Sequence, residues 1–122
     1  MRIYHNPACG TSRAVLTRLR EAGVEPEIVE YLKTPPSKVE LKALLTKLSL
    51  EPRDILRRKG TTLETLGMEE RNLDPDDILD AIAKHPILLE RPIVVMSDLA
   101  RICRPAEVVE QFLTAQTRKS AG

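Results

Sequence analysis

Aromatic side chains are nearly missing from this chain: its 122 residues include no Trp, one Phe (Phe112) and two Tyr (Tyr4 and Tyr31). The core must therefore be built from Leu, Ile and Val, and little is on hand for stacking against nucleic acid bases. An excess of charge is missing too. Lys and Arg total 19 against 18 Asp and Glu, so no global field draws the chain to nucleic acid or to a membrane surface. No apolar run approaches the roughly 20 residues a spanning helix needs, and the N-terminus lacks a charged segment followed by an apolar stretch; a cytoplasmic location is expected. The two cysteines, Cys9 and Cys103, stand far apart, as do the two histidines, His5 and His85. There is no Cys-x-x-Cys and no His/Cys cluster of zinc spacing, so no metal site is expected, and such a cytoplasmic pair reads as catalytic or inert rather than as a structural disulfide.

What is present reads as one compact domain over 1–122, long enough to bury a core without disulfides. Residues 2–5 form a short strand, and a helix follows over roughly Ser12 to Ala22, with Val15, Leu16 and Leu19 as its buried stripe and Gly23 closing it. Pro26 to Tyr31 supplies a second strand, completing a βαβ unit whose strands should be parallel. Thr34-Pro35-Pro36-Ser37 breaks this pattern. Ser37 and Glu40 form a capping box ahead of Val39, Leu41, Leu44, Leu45 and Leu48, and short helical pieces continue to Lys84, the clearest beginning at Asp74-Pro75. A helical insertion of about 37–85 thus separates the βαβ unit from the apolar strand Pro92–Met96. Residues near Arg101-Ile102-Cys103 return antiparallel to that strand through a turn at Ser97-Asp98. A last helix starts after Arg104-Pro105 with Val108, Val109, Phe112 and Leu113 inward, and 114–122 is a polar tail expected to fray.

Chemistry concentrates at His5-Asn6-Pro7-Ala8-Cys9-Gly10-Thr11-Ser12-Arg13, where a strand runs through a turn into a helix. A helix N-terminus presents unpaired backbone N–H groups and the positive end of the macrodipole, and both favour a sulfur anion and an incoming oxyanion. A thiol pKa of about 8.5 can fall to roughly 3.5–7.5 in such a site. The Ser12 hydroxyl, one helical turn on, could donate to the thiolate. The bland alternative is a small buried core cysteine.

An oxyanion is best held by planar, bidentate cations, which favours Arg over Lys. Arg57 lies in Ile55-Leu56-Arg57-Arg58-Lys59, Arg91 directly precedes Pro92 at the strand start, and Arg104 directly precedes Pro105 at the final helix. Any one of them taken alone is more readily a solvated surface residue. Arg58 adjoins Arg57, and the choice within that pair depends on helix phase.

The motif around Cys9, Tyr31-Leu32 with Pro35-Pro36-Ser37, Leu56-Arg57, His85-Pro86-Ile87-Leu88, Arg91-Pro92-Ile93-Val94-Val95 and Cys103-Arg104-Pro105 together resemble the glutathione- and glutaredoxin-dependent bacterial arsenate reductases. The resemblance covers nearly the whole chain. It implies an α/β, thioredoxin-like (glutaredoxin-like) fold with a small mixed sheet, a helical insertion between the second and third core strands, and a cis-proline at Pro92. By the same resemblance Cys9 is the nucleophile, Arg57, Arg91 and Arg104 bind the oxyanion, and His5 and Ser12 support the low pKa of the cysteine. The implied substrate is arsenate, with glutathione as cosubstrate, glutaredoxin as protein partner and no tightly bound cofactor.

On that reading the Cys9 thiolate attacks arsenic(V) and expels an oxygen as water. Glutathione then attacks the adduct so that arsenic leaves as arsenic(III), and glutaredoxin clears the glutathione-linked species. Cys103 is a competing resolving thiol, set against its reading as an inert, partly buried residue of a strand. Two other functions remain open. Regulators of the Spx type share the fold and bind RNA polymerase, but use a Cys-x-x-Cys switch where this chain has Cys9-Gly10-Thr11-Ser12. A monothiol glutathione-dependent oxidoreductase needs Cys9 but not three arginines.

Overall fold

The computed structural model describes residues 1–58 and 63–113. The expected polar tail of 114–122 lies outside the described residues. The chain divides into two compact units, one formed by Met1–Glu30 with Arg91–Gly122 and the other by Tyr31–Glu90; the expected helical insertion falls within the second.

In the first unit, strands β1 (Arg2–His5), β2 (Glu27–Glu30), β3 (Ile93–Met96) and β4 (Leu99–Ile102) form one sheet in the order β2-β1-β3-β4. β1 pairs parallel with β2 and antiparallel with β3, and β3 pairs antiparallel with β4. The parallel pair is what a βαβ crossover produces, and the mixed sheet agrees with the thioredoxin-like order. β1 and β3 occupy the centre. Ile3, Tyr4 and His5 are accordingly buried in succession, as are Ile93, Val94 and Val95, whereas edge strand β2 leaves Ile28 exposed. Met96 pairs with Leu99 across a two-residue loop, in which Ser97 adopts φ 54°, the left-handed conformation that tight hairpins require.

Helix α1 spans Gly10–Glu21, with Cys9 as its N-cap residue. It begins two residues before the expected start at Ser12. The sequence there misleads because Gly10 is a poor helix former and Ser12 a natural capping residue; Ser12 is instead fully buried inside the first turn. The helix ends as expected. Gly23 at φ 82° donates its N–H to the Arg20 carbonyl at 3.0 Å, and Val24 donates to the Leu19 carbonyl at 2.9 Å, a Schellman closure. Val15, Leu16 and Leu19 pack with Ile3, Val94, Cys103, Val109 and Phe112 in one cluster. After a 3-10 turn at Ala106–Val108, residues 109–113 are helical, and Arg18 of α1 reaches Glu110 at 2.8 Å.

The second unit holds α2 (Lys38–Leu48) and α3 (Pro75–Lys84), which pack on each other. The Ser37 hydroxyl accepts from the Glu40 N–H at 3.1 Å. Leu41, Leu44, Leu45 and Leu48 are buried at helical spacing, whereas Val39 in the same apolar run is 78% exposed. Position 39 precedes Leu41 by two residues, about 200° around the helix, which takes it to the far face. Asp74 and Asp77 cap α3 reciprocally, with Pro75 at the first helical position. Short 3-10 turns at Pro52–Ile55, Glu70–Asn72 and Pro86–Leu88 complete the unit. Among the described residues no helix is long and apolar enough to cross a membrane.

Candidate active site

The turn that leaves central strand β1 is hydrogen-bonded at nearly every step. The Cys9 N–H donates to the Asn6 carbonyl at 3.0 Å, and the Ala8 N–H donates to Asn6 Oδ1 at 3.0 Å. The Asn6 N–H donates to Ser12 Oγ at 3.1 Å, and Arg13 Nη1 donates to the Pro7 carbonyl at 2.8 Å. Such a network fixes the chain's entry into α1 and delivers the Cys9 sulfur, half-buried, to the helix N-terminus.

The sulfur's surroundings oppose one another. Burial, the largest single influence, pushes the Cys9 thiol up; the Ser12 backbone N–H, the Arg91 and Arg104 guanidinium groups and the Thr11 backbone N–H pull it down, and together they win. The net result is a thiol held below its ordinary range, in agreement with donors and cations that stabilise the anion alone. Arg104 Nη1 donates to Cys9 Sγ at 3.7 Å and to the Arg91 carbonyl at 3.2 Å. Arg91 is only 8% exposed, so a buried cation serves the thiolate. Both arginines precede cis-prolines: the Arg91–Pro92 bond is cis as the resemblance implies, and so is Arg104–Pro105.

His5 and Ser12 meet within the site, with His5 Nδ1 2.6 Å from Ser12 Oγ. Burial is the main cause that lowers the His5 pKa, Arg20 and Arg13 lower it further, and Glu30 opposes them. That shift favours the neutral ring. Ser12 differs from its expected part, because it favours the thiolate through its backbone N–H while its hydroxyl joins His5 to the Asn6 backbone. No sequence signal marks that pairing.

Arg57 belongs to the second unit. Residues 56–58 are not helical, so helix phase does not separate Arg57 from Arg58. Burial does. The Arg57 side chain is 14% exposed and pairs with Glu90 at 3.1 Å, whereas Arg58 is 57% exposed and pairs with Glu70 at 2.6 Å. Both line an open cavity of about 270 Å³ with Leu56, Leu63, Glu64 and Glu70. Glu90, the partner of Arg57, escaped the sequence reading because 33 residues separate the two.

Cys103 is fully buried in the apolar cluster behind α1. Burial pushes its thiol up to about 12, against a smaller opposing influence from Arg101, so it remains a neutral, poorly nucleophilic thiol at physiological pH. Cys103→Ser is expected to retain at least about half the turnover of the parent chain, since the buried thiol takes no part in exchange; a loss matching that of a Cys9 variant in the same assay would return it to the chemistry.

The ArsC family model matches residues 4–112. The chain is 50% identical over 111 residues to an arsenate reductase of Rhizobium meliloti, covering 91% of this chain and 79% of that protein. It is 46% identical over 111 residues to an arsenate reductase of Escherichia coli, with the same coverage. Among solved structures, an arsenate reductase from Vibrio cholerae superposes with a TM-score of 0.84 at 42% identity, covering 90% of this chain and 94% of that one. With a cysteine thiol held low at a helix N-terminus, two arginines beside it, and a family model spanning nearly the full sequence, this chain belongs to the ArsC family.

Proposed function

We propose that this chain is an oxidoreductase that reduces arsenate to arsenite in the cytoplasm, with Cys9 as nucleophile and glutathione and glutaredoxin as reductants. The observation that carries the reading is the Cys9 sulfur at the N-terminus of α1 with Arg104 donating to it and Arg91 beside it. The likeness to relatives named arsenate reductases supports the substrate. Arsenate is a tetrahedral anion, and guanidinium groups from Arg57, Arg91 and Arg104 offset its charge and align arsenic with the sulfur.

The Cys9 thiolate attacks arsenic(V), an S–As bond forms, and one arsenate oxygen leaves as water after protonation. A glutathione thiolate then attacks the Cys9 sulfur. The S–As electron pair passes to arsenic, which departs as arsenic(III), while Cys9 and glutathione are left as a mixed disulfide. Glutaredoxin attacks the glutathione sulfur and releases the Cys9 thiolate. An external thiol is needed because position 12 is Ser and Cys103 is buried and protonated.

His5 and Ser12 tune the thiolate by holding the turn so that the Ser12 N–H faces the sulfur. His5→Ala is expected to move the pH midpoint of Cys9 alkylation upward; an unmoved midpoint leaves His5 a merely structural residue. The function itself is tested by NADPH oxidation coupled through glutathione, glutathione reductase and glutaredoxin. Turnover should require arsenate, glutathione and glutaredoxin together. A Cys9 that alkylates readily while arsenate elicits no turnover would overturn the reading.

A further inference from the structure

Arg57 and Glu90 form an ion pair unlike the surface pairs of this chain. Their side chains are 14% and 24% exposed, against 44% and 63% for Arg2 and Glu27 or 50% and 69% for Arg20 and Glu25. The backbones beneath them are fastened together as well. Leu56 and Leu89 form an isolated antiparallel bridge, the Arg57 N–H donates to the Leu88 carbonyl at 2.7 Å, and the Glu90 N–H donates to the Ile55 carbonyl at 2.8 Å. Ile55, Leu56, Leu88 and Leu89 are all buried, so this short two-stranded clasp is anchored in the unit's interior.

We propose that Glu90 is a positioning residue that fixes the Arg57 guanidinium for oxyanion binding. The inference rests on the assignment of Arg57 as an arsenate ligand. A long arginine side chain has several rotatable bonds, and ordering it at the moment of binding costs conformational entropy. Glu90 meets that cost beforehand. Among the described residues it accepts from Nη1, one of five N–H donors in the fork. Glu90 also immediately precedes Arg91 in the chain.

A double-mutant cycle tests this, with arsenate KM, glutathione KM, kcat and thermal unfolding measured for Glu90→Ala, Glu90→Gln, Arg57→Ala and Arg57→Ala/Glu90→Ala. Glu90→Ala should lower kcat/KM for arsenate about tenfold, chiefly through KM, and change it less than about twofold when Arg57 is already Ala. The glutathione KM should hold. Glu90→Gln, which keeps the acceptor oxygen, should recover part of the loss and serves if the Ala variant folds poorly. An equal loss from Glu90→Ala in both backgrounds overturns the proposal, since a structural role acts whether or not Arg57 is present. A fall in arsenate KM overturns it too, because Glu90 would then compete with the anion. If Arg57→Ala leaves arsenate KM unchanged, the ligand assignment itself fails; if Arg57→Ala is defective and the cycle is additive, only the role of Glu90 fails.

Discussion

Cys9→Ser is expected to eliminate arsenate-dependent NADPH oxidation, with a loss of about a thousandfold or more, because in the proposed mechanism the step it removes is the formation of the S–As bond. Serine matches the shape of cysteine but not its chemistry. Its hydroxyl stays protonated at neutral pH, and the described side chains of the site do not offer it a base: Arg91 and Arg104 are cations, and the His5 ring is directed to Ser12. The donors that hold the cysteine thiol below its ordinary range act on an existing anion and cannot create one from an alcohol. The helix and the turn should survive, since serine is a favoured N-cap residue. Equal circular dichroism spectra for parent and variant would therefore accompany the lost activity. Arsenate-dependent turnover within tenfold of the parent would show that another group carries the attack.

Arg104→Ala should lower kcat/KM for arsenate by about 10²–10³-fold, the range observed when one preorganised donor to a developing or bound oxyanion is removed. The same change has a second signature. Arg104 lowers the Cys9 thiol, so its removal moves the pH midpoint of iodoacetamide alkylation upward. The alkylation rate therefore falls most at acidic and neutral pH and approaches that of the parent above the ordinary thiol range, where both sulfurs are ionised. Arg104→Lys keeps the charge but loses the planar fork, and should lie between the two. Because Arg104 also donates to the Arg91 carbonyl, Arg91→Ala and Arg104→Ala are expected to be less than additive in combination. An unchanged alkylation profile in Arg104→Ala would sever the arginine from the sulfur.

Features carried by local pattern were legible from residue order. The strands, the Leu41 to Leu48 stripe, the Asp74 cap and the Gly23 closure each depend on neighbours within a turn or two, and each took its expected form. Val39 belongs to the same apolar run as the stripe, yet it lies on the exposed side of the packed helix. At the site, Cys9, Arg91 and Arg104 were marked by punctuation, a turn in one case and prolines in the others. What escaped were partnerships between side chains distant in sequence. Nothing in a linear reading joins Arg57 to Glu90, or directs the Ser12 hydroxyl to His5 in preference to the sulfur, because these choices follow from register and burial.

The unit that carries Cys9 is assembled from two stretches of sequence that flank the other unit in the chain, with β1 paired to β3 from Arg2↔Val95 to Tyr4↔Ile93. On the ribosome Cys9 emerges before the other unit, whereas Arg91 and Arg104 follow only after the whole of that unit has been made. Long-range pairing of this kind is slow to form and late to reward the chain. The nascent cysteine thus lacks the two guanidinium groups that lower its thiol until both have been synthesised. The full set of groups that lower the thiol is assembled only when the sheet closes, so alkylation at mildly acidic pH is expected to report on that closure.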